Sequence, residues 1–494
     1  MDIGRKMIWK QICFLGEVAL IISLYVISYN ATIIYRLSFY GLIMILYFSC
    51  QMVCSLLNDR DNLRKKNAID VISDRIILLV VGHRENPDYW RQCLRSINGL
   101  TDPISSILVI IDGNETEEDH DMYETANTIL DKERVNTRIV MVEKRGKRGA
   151  MYFGVGLIRE RYSDRDMFVC VTDSDTILEP DCLSILYQCI STDDGCVTGF
   201  LDVFNTDHHI LPRIINSRYA YAFGIERAAQ SYFGCMTCCS GPLSMYRLSL
   251  LTDDIMERFV NQTICGVRCE PGDDRHLTNL IMQKGYHSRQ TSLAKARTEA
   301  PETLIRFLLQ QLRWSRSFFR ELRWQFNCLP QQSYFLGIIM AYETCFPFFV
   351  FLYTLYILFH NPYRETVLYS FYMSITILFL RTIIMMMRFR SFSMVYLLLY
   401  YPMYFIFLLP IKIFAAITVH SNGWLTNSRH HLPRCSNDIW IFVFFLSVWI
   451  TLLFLGCYNL FVVLTHHDVS SSCQSPYWTR PIWVCTPEKF LGTV

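Results

Sequence analysis

Two carboxylates, Asp173 and Asp175, stand two residues apart where the mostly apolar run Phe168-Val169-Cys170-Val171-Thr172 ends. Such a run reads as a buried strand. In an extended segment residues two apart point to one side, so both carboxylates face a single point in space. Carboxylates converging at the C-terminal edge of a parallel sheet suit a hard divalent cation that also holds a substrate's phosphates. An Asp-Ser-Asp turn standing alone would serve equally well as a solvated loop. Three further groups remove that isolation: Asp112 after the run Ile107–Ile111, Gly272-Asp273-Asp274-Arg275 opening a polar segment, and Gln310-Gln311-Leu312-Arg313-Trp314 on a basic stretch. A cation site, a carboxylate to take a proton and an arginine to grip a phosphate bidentately are the parts of a group transfer that expels a diphosphate.

The elements that must position these groups follow from periodicity. Ile76-Ile77-Leu78-Leu79-Val80-Val81 reads as a buried strand, and Asn86-Pro87 then caps a helix with Trp90, Cys93, Leu94 and Ile97 on one face. Ile107–Ile111 is a second strand, residues 117–130 a polar helix and Arg138–Val142 a third strand. A helix follows Lys144-Arg145-Gly146-Lys147-Arg148 and leads to the strand ending at Asp173. Strands alternating with helices predict a parallel sheet with nucleotide at the strand C-termini. No glycine-rich dinucleotide fingerprint or phosphate loop follows any strand, which argues against a NAD enzyme or an NTPase.

The chain has 494 residues, 51% hydrophobic and 14% aromatic, with its charges concentrated between residues 58 and 330. Long apolar runs flank that region, so a membrane protein with one large soluble domain is expected. Stretches 11–29 and 33–57 have spanning length and are bounded by Arg5, Lys6 and Lys10 before and Arg60, Arg64, Lys65 and Lys66 after. Positive flanks at both ends place both on the cytoplasmic side. The first stretch lacks the cleavage site of a signal peptide, and the Asn30-Ala31-Thr32 sequon lies too near the bilayer for a confident glycan. Four more apolar segments lie near 333–359, 366–387, 393–417 and 438–464; the third holds Pro402 and Pro410 and is expected to be broken or re-entrant. Between these and the soluble region, residues 302–323 form a helix with Arg313, Arg316, Arg320 and Arg323 at three- and four-residue spacing. Contact with lipid headgroups accounts for the last three arginines, but less well for Gln310, Arg313 and Trp314.

A net charge of +2 gives no reason to expect a nucleic-acid partner. Of the 19 cysteines, Cys235, Cys238 and Cys239 with Cys265 and Cys269 form the cluster nearest to a zinc pattern. No histidine completes it, and buried free thiols in a reducing compartment are the favoured reading. Cys473 and Cys485 would be free to pair if the tail from His466 lies outside; a free cytosolic tail is the alternative.

The ordered set Asp112, Asp173-Ser174-Asp175, Gly272-Asp273-Asp274-Arg275 and Gln310–Trp314 resembles the D, DxD, (T/G)(E/D)D and QxxRW series of processive family 2 glycosyltransferases. Arg218–Phe223, Glu226–Phe233, Cys238–Leu243, Gly272–Asn279 and Gln310–Ser315 are similar, more narrowly, to class I hyaluronan synthases of the vertebrate type. Chitin synthases share the skeleton but typically read E-D-R and Q-R-R-R-W at these places. The resemblance runs from about Ile77 to Arg320. It implies an α/β GT-A-type domain with a mostly parallel sheet, inserted between N-terminal and C-terminal transmembrane helices. The implied boundaries are two helices in 1–58, the catalytic domain in 59–300 and an amphipathic interface helix in 301–332. Membrane or re-entrant helices with a gating loop at 420–435 would fill 333–465, and a tail 466–494.

The same resemblance implies roles. Asp112 would contact the uridine, with His83, Glu85, Lys147, Arg148, Asp173, Gln310, Arg313 and Trp314 around the nucleotide. Asp175, helped by Asp173, would hold Mg2+ or Mn2+ through the diphosphate. Asp274 would be the general base, with Asp273, Arg313 and Trp314 completing the catalytic set. Cys238, Ser240, Gly241, Pro242 and Leu243 would border the acceptor sugar, and Trp424 and Thr426 would belong to the gating loop. Implied partners are UDP-GlcNAc, UDP-glucuronate, the growing hyaluronan chain and membrane lipid, in the plasma membrane with the catalytic domain in the cytoplasm. Departures are His83 in place of tyrosine, Phe200 in place of an acidic residue, Leu425 in place of a gating-loop glycine, and one fewer last span. They leave open a chitin-type synthase using UDP-GlcNAc alone, or a silent membrane protein that binds UDP-sugar or glycan.

Overall fold

The computed structural model describes residues 33–68, 74–162, 166–207, 209–264, 266–360, 364–421 and 437–466. The expected span 11–29, the Asn30 sequon, Cys265, Trp424, Leu425, Thr426, Cys473 and Cys485 lie outside the described residues.

Alternation of side chains along three apolar strands explains the two-sided core. In β1 (Ile76–Gly82) every residue is buried. Ile76, Leu78 and Val80 join one apolar cluster, while Ile77, Leu79 and Val81 join another on the opposite face. β1 pairs in parallel with β2 (Ile104–Asp112) on one side and β4 (Phe168–Asp173) on the other, and β2 pairs in parallel with β3 (Thr137–Val142). The remaining strands are β5 (Ile177–Leu178), β6 (Asp194–Val203), β7 (Ser244–Arg247) and β10 (His287–Thr298), with a separate hairpin of β8 (Thr263–Ile264) and β9 (Val267–Arg268). The large sheet runs β3-β2-β1-β4-β7-β6-β10-β5. β6 and β10 are parallel, while β7 runs antiparallel to both β4 and β6 and the two-residue β5 runs antiparallel to β10, so the sheet is mostly parallel with β7 reversed near its centre and β5 reversed at its edge.

Local sequence sets the flanking helices. Asn86 accepts from the Asp88 amide at 2.9 Å, and the helix Pro87–Asn98 buries Trp90, Cys93, Leu94 and Ile97, the face read from spacing. Thr116 and Asp119 form a reciprocal capping box on Glu117–Ile129. Gly146 starts the helix Gly146–Tyr162, and Gly272, with φ of 89°, precedes Asp273–Gln283.

Among the described residues four helical stretches are long and apolar enough to cross a membrane: Tyr334–Phe359, Phe371–Phe389, Phe392–Ile417 and Ile439–Val462. The third stays helical throughout and changes type along its length, from a 3-10 turn through a short α-helix containing Pro402 and a π segment Tyr404–Leu408 to a final α-helix Leu409–Ile417 with Pro410 in its first turn. Its start and its end both touch the catalytic half: Arg213 reaches the Tyr396 hydroxyl at 3.2 Å, and Arg316 reaches Thr418 Oγ1 at 3.1 Å. The helix Ile33–Ala68 anchors below the sheet, where Asn58 and Asn62 amides donate to the Gln290 carbonyl at 3.1 and 2.9 Å.

The basic helix is one continuous element, Leu304–Cys328, and corrects one expectation. Arg316 and Arg320 are each 2% exposed and do not reach for lipid headgroups. Arg316 donates to Thr418 and lies over the Phe414 ring, and Arg320 donates to the Ser421 carbonyl at 3.2 Å. The Leu409–Ile417 segment covers that face, leaving Arg323 exposed.

Phe200, the departure from an acidic residue, is a core side chain. It is 7% exposed, with ring centroids 6.0 Å from Phe223 and 6.3 Å from Phe389. Phe200→Asp would bury an unpaired carboxylate there. The expected outcome is a loss of stability at least as large as that of Phe200→Ala, about 3–5 kcal/mol, without any gain in turnover. Unfolding of the purified full-length protein in detergent measures the first and UDP release the second.

Candidate active site

The strand ends deliver the first group of side chains. Asp112 closes β2, and its carboxylate accepts from the Arg145 amide at 2.7 Å. His83, just past β1, places Nδ1 2.5 Å from the Asp112 carbonyl oxygen. Glu85 accepts from Ser174 Oγ at 3.0 Å, tying the β1 exit to the Asp173-Ser174-Asp175 run. β4 itself stops at Asp173, and a Thr176 amide to Asp173 carbonyl bond of 3.2 Å closes a turn. Asp175 therefore reaches the site through that turn rather than by strand alternation. Thr176 and Thr298 hydroxyls sit 3.4 and 3.5 Å from its two oxygens.

Lys147 joins the second group to the first. Its Nζ lies 2.8 Å from Asp173 Oδ1 and 2.9 Å from Asp273 Oδ2. Burial opposes charge on that ammonium, but the two carboxylates hold its pKa well above the usual lysine range. Burial likewise opposes ionisation of Asp273, and Lys147 overrides it, holding the carboxyl below its usual range. Gly241 passes directly over this pair: a Cβ there would sit 3.0 Å from Lys147 Nζ and 3.2 Å from Asp173 Oδ2. A side chain there would push the Lys147 ammonium or the Asp173 carboxylate aside by a few tenths of an ångström.

Asp274 follows Asp273 on the same helix. Its Oδ1 accepts from the Arg275 amide at 2.8 Å, and its Oδ2 accepts from the Cys238 thiol at 3.3 Å. Burial and the Asp274 charge push the Cys238 pKa up, so the thiol stays protonated as a donor and is no nucleophile. Arg227, on the π segment Ala222–Arg227, donates to Ser240.

The helix Asp273–Gln283 is fixed against Leu304–Cys328. Glu321 is buried and accepts from Gln262 Nε2 at 2.6 Å and Asn279 Nδ2 at 2.8 Å, with His276 Nδ1 at 3.2 Å. Near the helix start a Cβ on Gly272 would meet Ser317 Oγ at 2.0 Å. Arg148 holds the preceding loop from below through the carbonyls of Phe259, Glu270 and Pro271, at 3.0, 3.2 and 3.2 Å.

One cavity of about 1240 Å³ gathers these groups. His83, Glu85, Asp112, Lys147, Asp173, Asp175, Cys238, Ser240, Gly241, Pro242, Asp273, Asp274, Gln310, Arg313 and Trp314 all line it. Arg148 and Leu243 do not: Arg148 points beneath the Glu270-Pro271 loop, and Leu243 is packed in the sheet core. Sequence reasoning names Tyr219 and Arg227 only within the stretches that carry the resemblance, and assigns no role to Arg145 or to Glu343, Arg381 and Lys412 inside apolar segments, yet all line the cavity. Lone charges within spanning-length stretches are the signal that marks the last three.

Asp173 and Asp175 offer hard oxygen donors, and among the described residues no set of three or more His, Cys, Asp or Glu side chains could hold a metal alone. Two carboxylates with the balance supplied by phosphates and water fit Mg2+ or Mn2+.

The matched family is consistent with this arrangement: residues 74–317 match "Glycosyltransferase like family 2". Fold and site thus define a GT-A-type glycosyltransferase attached to membrane helices. The chain is 31% identical over 436 residues to hyaluronan synthase 3 of Xenopus laevis, covering 81% of this chain and 76% of that one. It is 31% identical over 480 residues to hyaluronan synthase 2 of Gallus gallus, covering 88% and 84%. Hyaluronan synthase 3 of Homo sapiens is also 31% identical, over 434 residues, with coverage of 79% and 77%. The chain belongs to the hyaluronan synthase family.

Gly272→Ala should cost about 1–2 kcal/mol for its left-handed backbone and push the start of the Asp273–Gln283 helix away from Ser317. UDP release should fall at least about tenfold in protein that still folds, and Ser317→Gly in the same chain should restore the steric part.

Glu321 carries a pH signature. Burial alone would raise its carboxyl, but the facing His276 ring and the Gln262 and Asn279 amides hold it below the ordinary range. A carboxyl depressed in the folded state adds stability that is whole above its unfolded pKa, about 4.3, and that is lost as pH falls through the lower folded value. Thermal unfolding followed from about pH 7 to about pH 3.5 should decline more steeply in wild type than in Glu321→Gln.

Proposed function

We propose that the protein is a membrane-embedded processive glycosyltransferase that polymerises hyaluronan from UDP-GlcNAc and UDP-glucuronate and passes the chain outward between its membrane helices. The observation that carries this reading is the continuity of the cavity. It runs from Asp112 and Asp175, past Asp274, to Tyr342, Arg381, Tyr400 and Lys412 on the apolar segments. A transferase releasing a soluble product has no need for its acceptor site to open among spanning helices.

In this reading Asp112 and His83 hold the uridine, and Asp175 with Asp173 hold Mg2+ or Mn2+ against the diphosphate. The cation, when bound, neutralises the charge that builds on the departing diphosphate. Asp274 takes the proton of the acceptor hydroxyl as that oxygen bonds to the anomeric carbon and the sugar–phosphate bond breaks, inverting the centre. Arg313 grips the leaving UDP, and Trp314, beside Tyr219 at 6.4 Å between ring centroids, offers an aromatic wall. Cys238, Ser240, Gly241 and Pro242 border the acceptor. Lys147 keeps Asp173 and Asp273 apart in role while holding them close in space. The basic residues Arg60, Arg64, Lys65 and Lys66 support a cytoplasmic catalytic domain, with the plasma membrane as the site of synthesis.

Full-length protein in membranes, given both UDP-sugars with Mn2+ and each sugar alone, tests the proposal. Polymer requiring both sugars and sensitive to hyaluronidase is expected. Polymer from UDP-GlcNAc alone that yields to chitinase would replace it with a chitin-type synthase. Asp274→Asn should lower UDP release about 10²-fold or more while UDP binding stays within a fewfold; equal release would leave a silent UDP-sugar-binding protein.

A further inference from the structure

We propose that Glu321 is a positioning residue for the transfer step, holding the carboxylate at Asp274 in register with the guanidinium at Arg313. The inference rests on the reading of Asp274 as general base.

Glu321 lies eight residues beyond Arg313 on Leu304–Cys328, about 12 Å along the axis, and it does not line the cavity. Its two oxygens gather donors from two other pieces of chain. Gln262 comes from the loop after the helix Asp253–Val260, at 2.6 Å. His276 and Asn279, at 3.2 and 2.8 Å, stand three residues apart on one face of Asp273–Gln283. The His276 ring is further pinned edge-on to Trp324, with centroids 5.1 Å apart, and its Nε2 lies 3.4 Å from the Arg258 carbonyl oxygen. Ser317, one turn before Glu321, meets the Gly272 backbone. The helix that carries Asp273 and Asp274 is therefore held at its first residue and again in its first two turns by one face of the helix that carries Arg313.

Directionality is what a carboxylate adds here. Apolar side chains of similar volume often fill a buried site as stably as an ion pair. They would not fix rotation or sliding of Asp273–Gln283 along its neighbour. A shift of under 1 Å at the base costs a large factor in rate, and the UDP-binding groups on β1, β2 and β4 do not take part in this clamp.

The test uses full-length enzyme in detergent or nanodiscs, with UDP release, KM for each UDP-sugar, UDP binding and melting all measured. Glu321→Gln should lower kcat by about tenfold, with KM and UDP affinity within about twofold. Adding Asn279→Asp, which reverses the polarity of the 2.8 Å bond, should recover at least about a third of the lost rate. An unchanged kcat, losses that track the folded fraction, or a double variant no faster than the single one would each overturn the proposal. Asp274→Asn run alongside separates the two ideas. If it turns over normally the base assignment has failed, whatever Glu321→Gln does.

Discussion

One ammonium group sits where three motifs meet. Lys147 Nζ bridges Asp173 from the end of β4 and Asp273 from the start of Asp273–Gln283, at 2.8 and 2.9 Å. At an effective dielectric near 20 each contact is worth about 6 kcal/mol, and dehydrating three ions takes back several kcal/mol apiece. The net stabilisation is small, so the value of the bridge lies in geometry. It draws the C-terminal end of β4 toward the start of the helix that carries Asp273 and Asp274. Gly241 lets the Ser240–Pro242 stretch lie close over that bridge, and Arg148, the next residue on the same helix, braces the loop that leads to Asp273.

That adjacency explains what the sequence made legible and what it hid. Consecutive helical residues diverge by about 100°, so Lys147 and Arg148 cannot both face the nucleotide; the pattern of charge alone does not say which turns inward. Extended alternation brings Asp173 and Asp175 to one side for a reason that does not hold, because the strand stops at Asp173 and a turn carries Asp175. The two strand faces, the Pro87–Asn98 helix and its buried side are readable because a two-residue or 3.6-residue period survives there without tertiary help. Arg316 and Arg320 mislead for the opposite reason. A basic stripe looks the same whether lipid or another helix covers it, and only the packing of Leu409–Ile417 decides.

The membrane half shows a similar limit. Apolar composition locates the spanning-length stretches, but it draws attention away from the charges within them. Arg381 bonds the Tyr221 hydroxyl and lies 5.2, 4.7 and 5.6 Å from the rings of Phe48, Tyr221 and Tyr401. Glu343 accepts from Gln230 at 3.0 Å, and Lys412 lies 5.5 Å from the Tyr404 ring. Each is tolerable in an apolar setting because aromatic faces, amides or hydroxyls replace water around it. Scarcity of charge within the segments weighs, on composition alone, against a pure transporter; the few charges present lie along one cavity.

The departures from the family pattern sort themselves by the same geometry. Phe200 is spent on packing against Phe223 and Phe389, and Phe223 belongs to the π segment Ala222–Arg227. A single extra residue in that turn rotates the rest of the helix, so Glu226 pairs with Arg218 at 2.8 Å while Arg227 swings to Ser240 beside the acceptor loop. Gln230, a turn later, holds Glu343 of the membrane helix. The core of the catalytic sheet, the Ser240–Pro242 stretch and the first long membrane helix after it are thus linked through one short irregular helix. A substitution at Phe200 acts on chemistry only by moving that helix, which is why a change from acidic to aromatic there can leave the carboxylates and Arg313 where they are.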